Sequence, residues 1–232
     1  MPFVNAQQSR LFAGSLVYTG YTRSVSIDDQ TMALEVTTLA DSAEAYIVGQ
    51  TTSTMSLDLL MDAPLVAQAS AWETTTPQPV TYLPNGLALT AECFLADALL
   101  TQFSTSSAVA DVVTASITTQ NTGPLGAGVV VATQAAITTT GNGTGVDNAV
   151  ATTGGAVAHL HVSAFSGLTS DTITVQDSAD NASFATIGTF AVVTGVTYQR
   201  LNIAGTVRRY TRVVDTCVGV GSCTRIVALA RL

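Results

Sequence analysis

The sequence predicts an all-β protein, a larger first β module carrying one short helix and then a small antiparallel β-sandwich. Three observations predict it. Threonine is the most abundant residue, and Val and Ile are common, which is the vocabulary of strands. In the C-terminal half, Gly, Asn and Asp punctuate short apolar runs about every ten residues, the spacing of turn-linked strands in a sandwich. Only one stretch is long enough and Ala-rich enough to read as a helix of several turns.

In chain order, the β-type runs are Arg10–Tyr18, Thr22–Asp28 and Met32–Leu39. Between Asp41 and Val48 the residues Asp-Ser-Ala-Glu-Ala-Tyr-Ile-Val predict one helical turn that Gly49 stops. A strand follows at Thr54–Met61. Ala63–Trp72 is the best helix: Pro64 suits a first turn, Ala dominates, and Leu65, Ala69 and Trp72 fall on one face. Strands at Leu87–Leu99 and Val113–Gln120 complete the first module. Gly123-Pro-Leu-Gly-Ala-Gly128 then breaks the pattern, so the expected domains are 1–123 and 124–232. Beyond the break come Val129–Thr139, a Gly141-Asn-Gly-Thr-Gly145 turn, and runs at Val157–Ala164, Thr172–Gln176, Thr186–Val192, Thr197–Ile203, Thr206–Val214 and Thr224–Ala230.

Charge is scarce: 10% of residues, against about 25% in an ordinary soluble domain. No run of 18 apolar residues occurs, so no helical membrane span is expected. Neutral and apolar surface must then be hidden somewhere, and copies of the same chain are the simplest cover. The net charge of −8, with no lysine, argues against nucleic-acid binding, which needs many basic side chains to neutralise phosphates. The charge is uneven: 12 acids and 2 arginines up to Ala158, then 4 acids and 6 arginines from His159. Residues Met1–Gln8 lack a basic n-region and a long apolar segment, so no signal peptide is read.

No catalytic or cofactor-binding constellation is expected. His159 and His161, the only histidines, share one strand face at i, i+2 spacing. Zinc would need a third ligand for catalysis and a fourth for structure, and Asp171 is the nearest candidate in sequence, so the pair reads as ordinary strand histidines. Gly219-Val-Gly-Ser-Cys223 lacks the closing glycine of a nucleophile elbow. The Gly141–Gly145 run has no following lysine and is no phosphate loop. Cys93, Cys217 and Cys223 make no disulfide framework, although Cys217 and Cys223 flank a hairpin-like run and a bridge between them stays open. Arg208, Tyr210 and Arg212 share one strand face, with Arg209 on the other. They form either a surface stripe for an anionic or glycan ligand, or a solvated face paired to Asp171, Asp177 or Asp180.

The run Arg23–Gly49 resembles the major tail (tail-tube) proteins of phages with long, flexible, non-contractile tails. That family shows paired strands, a Thr-Thr or Ser-Ser step, then Gly/Ala-Asp-x-Ala-x-x-x-Ile-x-Gly. Thr37, Thr38, Asp41, Ala43, Ile47 and Gly49 match it. Thr54–Asp62, Tyr82–Gly86 and Ser106–Gln120 are similar to the family's later elements, so the likeness covers residues 8–123. It departs at Ala40 and in the short Pro84–Gly86 loop. Residues 124–232 are similar to the immunoglobulin-like or carbohydrate-binding appendages of virion proteins.

The resemblance implies a β-sandwich or split barrel that self-assembles into six-fold rings stacked as a tube, a conduit for genome ejection. The segment Asp41–Ser53 would be the inter-subunit arm. Acids at Asp58, Asp62, Glu92 and Asp97 would face the lumen, letting DNA pass without specific binding. Expected partners are the chain itself, a tape-measure protein and other tail proteins; the expected location is the virion tail, after synthesis in the host cytoplasm. The alternative implication is a decoration, baseplate or host-glycan-binding protein acting through the C-terminal sandwich.

Overall fold

The computed structural model describes residues 6–40, 42–61, 63–72, 76–108 and 111–232. In chain order the strands are β1 (Arg10–Ala13), β2 (Leu16–Val17), β3 (Thr22–Glu35) and β4 (Tyr46–Leu60). The helix α1 (Ala63–Trp72) follows, and then β5 (Gln78–Leu83), β6 (Glu92–Ser106), β7 (Thr114–Asn121) and β8 (Gly126–Ile137). The last are β9 (Gly141–Asn142), β10 (Val146–Asp147), β11 (Ala156–Ser178), β12 (Ala185–Thr189), β13 (Thr197–Ile203) and β14 (Tyr210–Arg231). The described strand pairings are antiparallel, so the protein is all-β with one short helix, as its threonine-rich composition requires.

Contacts divide the chain into two units, and not at one point in the sequence. The larger takes Met1–Gly20 and Gln78–Leu95 together with Gly126–Leu232; the smaller takes Tyr21–Pro77 and Ala96–Leu125. A single break at 123/124 therefore does not describe the packing, because two N-terminal segments are bound into the unit built on the C-terminal half.

In the smaller unit four strands pair in the order β3-β4-β7-β6, the β6 share being Ala98–Ser106. Alternation sorts them into two faces. Met55, Leu57 and Leu59 of β4 and Ala115 and Ile117 of β7 are buried. The helix buries the Leu65, Ala69 and Trp72 face that its spacing predicts, and the Trp72 indole Nε1 donates to the Ala98 carbonyl at 2.9 Å, tying α1 to β6.

The larger unit is organised by β11 and β14, which pair along almost their whole lengths. Each was expected as two separate strands, β11 broken near Gly167 and β14 near Gly219–Gly221. Instead the glycines sit in register shifts within continuous strands, and Gly219 adopts φ 97°, a conformation that costs a side chain about 1–2 kcal/mol. The long pair bends there and folds over itself, so that Ala158, Leu160 and Val162 on one arm share a core with Ile173, Val175 and Val213 on the other. The opposite face of the first arm packs on Phe12, Leu83, Cys93 and Leu95 through Ile226 and Ala228. Both faces of Ala156–Val162 are thus covered, which explains a nearly unbroken apolar run there.

Other expectations shift in the same way. The Thr22–Asp28 and Met32–Leu39 runs form one strand, β3, with its end at Glu35. Among the described residues 42–48 no helical turn forms before Gly49; Tyr46 opens β4, which runs through Gly49. Arg10–Tyr18 is a hairpin, β1 and β2, rather than one strand, and the Leu87–Leu99 strand starts only at Glu92.

Candidate functional site

The solvent-facing side of the smaller sheet is built of short polar side chains. Register places Ser24, Ser26 and Asp28 of β3 opposite Asp58, Ser56 and Thr54 of β4; Asp58, Ser56 and Thr54 in turn oppose Ser116, Thr118 and Gln120 of β7. Gln102, Ser104 and Ser106 of β6 extend the same face. Ser24 donates to Asp58 Oδ2 at 2.7 Å. An open groove of about 500 Å³ runs over this face, lined by Ser24, Asp58, Ser104 and Ser116 and bordered by Arg23. The surface is hydroxyl-rich and weakly acidic.

Of the four acids expected to line a lumen, Asp58 lies on this face. Asp97 joins it by alternation through Leu99, which opposes Gln120. Glu92 belongs to the larger unit, where Asn85 Nδ2 reaches its carboxylate at 3.4 Å. Asp62 lies outside the described residues. Asp28, which sequence reading passed over, shares the face and accepts from Gln30 at 2.8 Å.

The expected inter-subunit arm is the distal half of the β3–β4 hairpin. Below Thr54 in β4, β7 no longer pairs with it, and residues 46–53 pair with β3 alone. Burial stops with Ser53. Between Thr31 and Ala33 the register shifts, with the extra residue on β4 near Gly49. The shift brings Ile47 opposite Leu34, on the side of β3 that Met32 and Val36 also occupy. Gly49 is needed there, because a Cβ would stand 2.9 Å from the Met32 carbonyl and 3.1 Å from Leu34 Cγ. The result is an apolar stripe in open solvent: Met32 is 58% exposed, Leu34 43%, Val36 42% and Ile47 53%. Tyr46 and Val48 are exposed too. At the base of the loop Thr37 Oγ1 accepts from the Ala45 amide at 3.0 Å. Thr38 and Ala43 are exposed loop residues, and Asp41 lies outside the described residues.

The arginine cluster is committed within the larger unit. Arg208 clamps the buried Asp177, Nε donating to Oδ1 at 2.9 Å and the backbone amide to Oδ2 at 2.7 Å. Arg209 makes a two-pronged pair with Asp147, which holds that carboxyl down to about 2. Arg212 donates to Gln176 Oε1 at 2.9 Å and lies 4.0 Å over the Phe184 ring. Tyr210 is half-buried beneath Arg209, 5.0 Å from its ring centroid.

Two buried polar clusters escaped sequence reading. His159 and His161 share a face as expected, but that face is interior. The Thr81 hydroxyl bridges them, 3.2 Å from His159 Nδ1 and 2.8 Å from His161 Nε2, and His161 Nδ1 donates to the Gly14 carbonyl at 2.7 Å. At the bend of β11 and β14, Asp171 is fully buried beside Asp215, Arg225 and the free thiols of Cys217 and Cys223. Neither Asp171 oxygen has a hydrogen-bond partner of good geometry. Burial, then the charge of Asp215, pushes the Asp171 carboxyl up, with Arg225 opposing. Burial pushes the Cys217 thiol to about 11 and Cys223 to about 12. Among the described residues no group of three or more His, Cys, Asp or Glu side chains is arranged to hold a metal ion.

No protein-family model matches the chain, and no curated protein matches it. Among solved structures it is similar to a chain of the virion of a native gene transfer agent particle, at 12% identity and a TM-score of 0.44, over 52% of this chain and 95% of that one. A chain from the tail of an empty gene transfer agent particle, refined with C6 symmetry, gives 11% identity and a TM-score of 0.37, over 45% and 80%. The SPP1 Dit (gp 19.1) protein gives 11% identity and a TM-score of 0.36, over 97% of this chain and 99% of that one.

Proposed function

We propose that the protein is a structural subunit of a bacteriophage tail, which assembles with copies of itself into stacked rings, six subunits to a ring, forming the tail tube. The observation that carries this reading is the arm: a two-stranded extension whose stripe of Met32, Leu34, Val36 and Ile47 is left 42–58% exposed by the described residues. An isolated two-stranded hairpin is marginal in water, and an exposed apolar patch of this kind marks an interaction surface. A neighbouring copy supplies the cover in a ring of heterologous contacts that closes on itself. The hydroxyl face with Asp28, Asp58 and Asp97 then lines the lumen. It offers a polyanion few basic groups, so DNA slides past without counterion-releasing contacts.

Electron microscopy of the purified, concentrated protein tests the reading. Rings or tubes are expected. A chain that stays monomeric at high concentration by analytical ultracentrifugation, with no rings in the images, would overturn it.

A further inference from the structure

We propose that His159, His161 and Thr81 form an acid-released clasp that holds the N-terminal hairpin and β5 onto β11. The inference is independent of the assembly reading. Three chain segments meet at this point: Gly14 in the β1–β2 turn, Thr81 on β5, and the two imidazoles on β11. Phe12 stacks beside His161 with ring centroids 5.5 Å apart, so the same contact covers the apolar seam with Ile226 and Ala228.

The hydrogen bonds fix the state of the clasp. A carbonyl only accepts, so His161 Nδ1 carries the proton toward Gly14 and the neutral ring leaves Nε2 as an acceptor for the Thr81 hydroxyl. Protonating His161 places a second N–H against the Thr81 oxygen and turns the hydroxyl toward His159. Protonating both rings leaves the hydroxyl hydrogen with no acceptor between them. Both rings are almost wholly buried, 6.1 Å apart. Arg200 stands opposite His159 on β13, and Tyr198 opposite His161; Ala228 and Ile226 are their neighbours on β14. The charged groups acting on His159 are therefore cationic: His161, when protonated, and Arg200. Burial holds His161 down to about 4 and His159 well below its ordinary value. Two protons added to the closed clasp would strand the Thr81 hydroxyl hydrogen and crowd two imidazolium rings beside Arg200, so their uptake favours lifting of the layer that carries Gly14 and Thr81.

The chain has only two histidines, so their imidazole resonances can be followed by NMR in the intact protein while amide exchange is mapped from pH 7.5 to 3.5. Both rings are expected to stay neutral through pH 6.5. On further acidification they protonate together, and protection factors fall at least tenfold in residues 10–17 and 78–83 while residues 210–217 keep theirs. The His161→Gln variant, which retains a donor and an acceptor, is expected to move that loss to lower pH. Titration of either ring near 6.5 in the folded protein overturns the proposal. So does loss of protection throughout the chain at one pH, or an unchanged release pH in the variant. Should His161→Gln not fold, the wild-type coincidence of ring titration with local release decides alone.

Discussion

Asp215 and Arg225 stand ten residues apart on one strand, yet their side chains meet in a buried two-pronged ion pair, Arg225 Nε donating to Asp215 Oδ1 at 2.8 Å and Nη2 to Oδ2. Ten residues of extended chain span about 33 Å. The pair therefore exists only because β14 doubles back at its glycine-bearing bend, and it closes the two arms of that bend like a clasp. Both side chains are at most 5% exposed.

Breaking the pair from one side is expected to be costly. Arg225→Met strands the Asp215 carboxylate in the interior beside Asp171, and removal of one partner of a buried pair typically costs about 3–5 kcal/mol. Urea denaturation followed by circular dichroism should show a midpoint lowered accordingly. The Arg225→Met, Asp215→Leu double variant should recover much of the loss, since a charge pair replaced whole by apolar groups is often neutral.

Asp171 should behave in the opposite sense. Its folded carboxyl is raised above the ordinary value, chiefly by burial. A raised carboxyl contributes stability that is present in acid and is lost as pH rises through the folded value. At pH 7 the ionised form is therefore a burden on the fold, and Asp171→Asn is expected to raise the thermal midpoint. The gain should shrink as pH falls and wild-type Asp171 takes up its proton. Paired melting curves at pH 7 and pH 4 give the comparison, and a variant less stable at pH 7 would contradict the account.

The bend itself explains how much of this was legible in the sequence. Helix α1 was, because propensity, Pro64 and the Leu65–Ala69–Trp72 spacing agree on one answer. Strand positions were mostly legible through period and turn residues. Strand continuity was not. Gly167 and Gly219–Gly221 look like strand ends, and so does Gly49, yet each lies in a continuous strand, where a shift in register absorbs it without ending the pairing. Alternation puts Asp58 and Asp97 on one face of the smaller sheet, whereas Glu92 lies in the larger unit because β6 runs on from one unit into the other. The packing of residues 10–17 against β11 has no local signal. One clue to the histidines was present: two polar residues inside the apolar run Ala156–Val162 imply a doubly covered strand with partners for both rings.

Gly219 offers a direct test of that continuity. At φ 97° an alanine meets the left-handed penalty, and its Cβ would also stand 2.9 Å from the Thr169 amide nitrogen. Gly219→Ala is expected to cost about 1–2 kcal/mol or more. Gly195, with nothing within 4 Å of a built Cβ and no positive φ, is the control, and Gly195→Ala should be neutral or slightly stabilising by about 0.4–1 kcal/mol. Thermal denaturation of the two variants side by side distinguishes a required bulge from a tolerant loop.

The arm separates folding from assembly most cleanly. Leu34 and Ile47 oppose one another on the exposed stripe, and neither belongs to the buried core. Aspartate at either position therefore removes little from the isolated chain, within about 0.5 kcal/mol as for other surface changes. Buried between copies, the same aspartate would lose its water without gaining a partner, a penalty of several kcal/mol per contact that repeats around every ring. Leu34→Asp and Ile47→Asp are accordingly expected to leave the melting curve of the monomer unchanged and to abolish rings and tubes in sedimentation velocity and electron microscopy. Asp58→Asn, on the hydroxyl face, should assemble normally, because in the proposed ring that face would meet solvent. Tubes that survive both arm variants would show that the exposed stripe is not where copies meet.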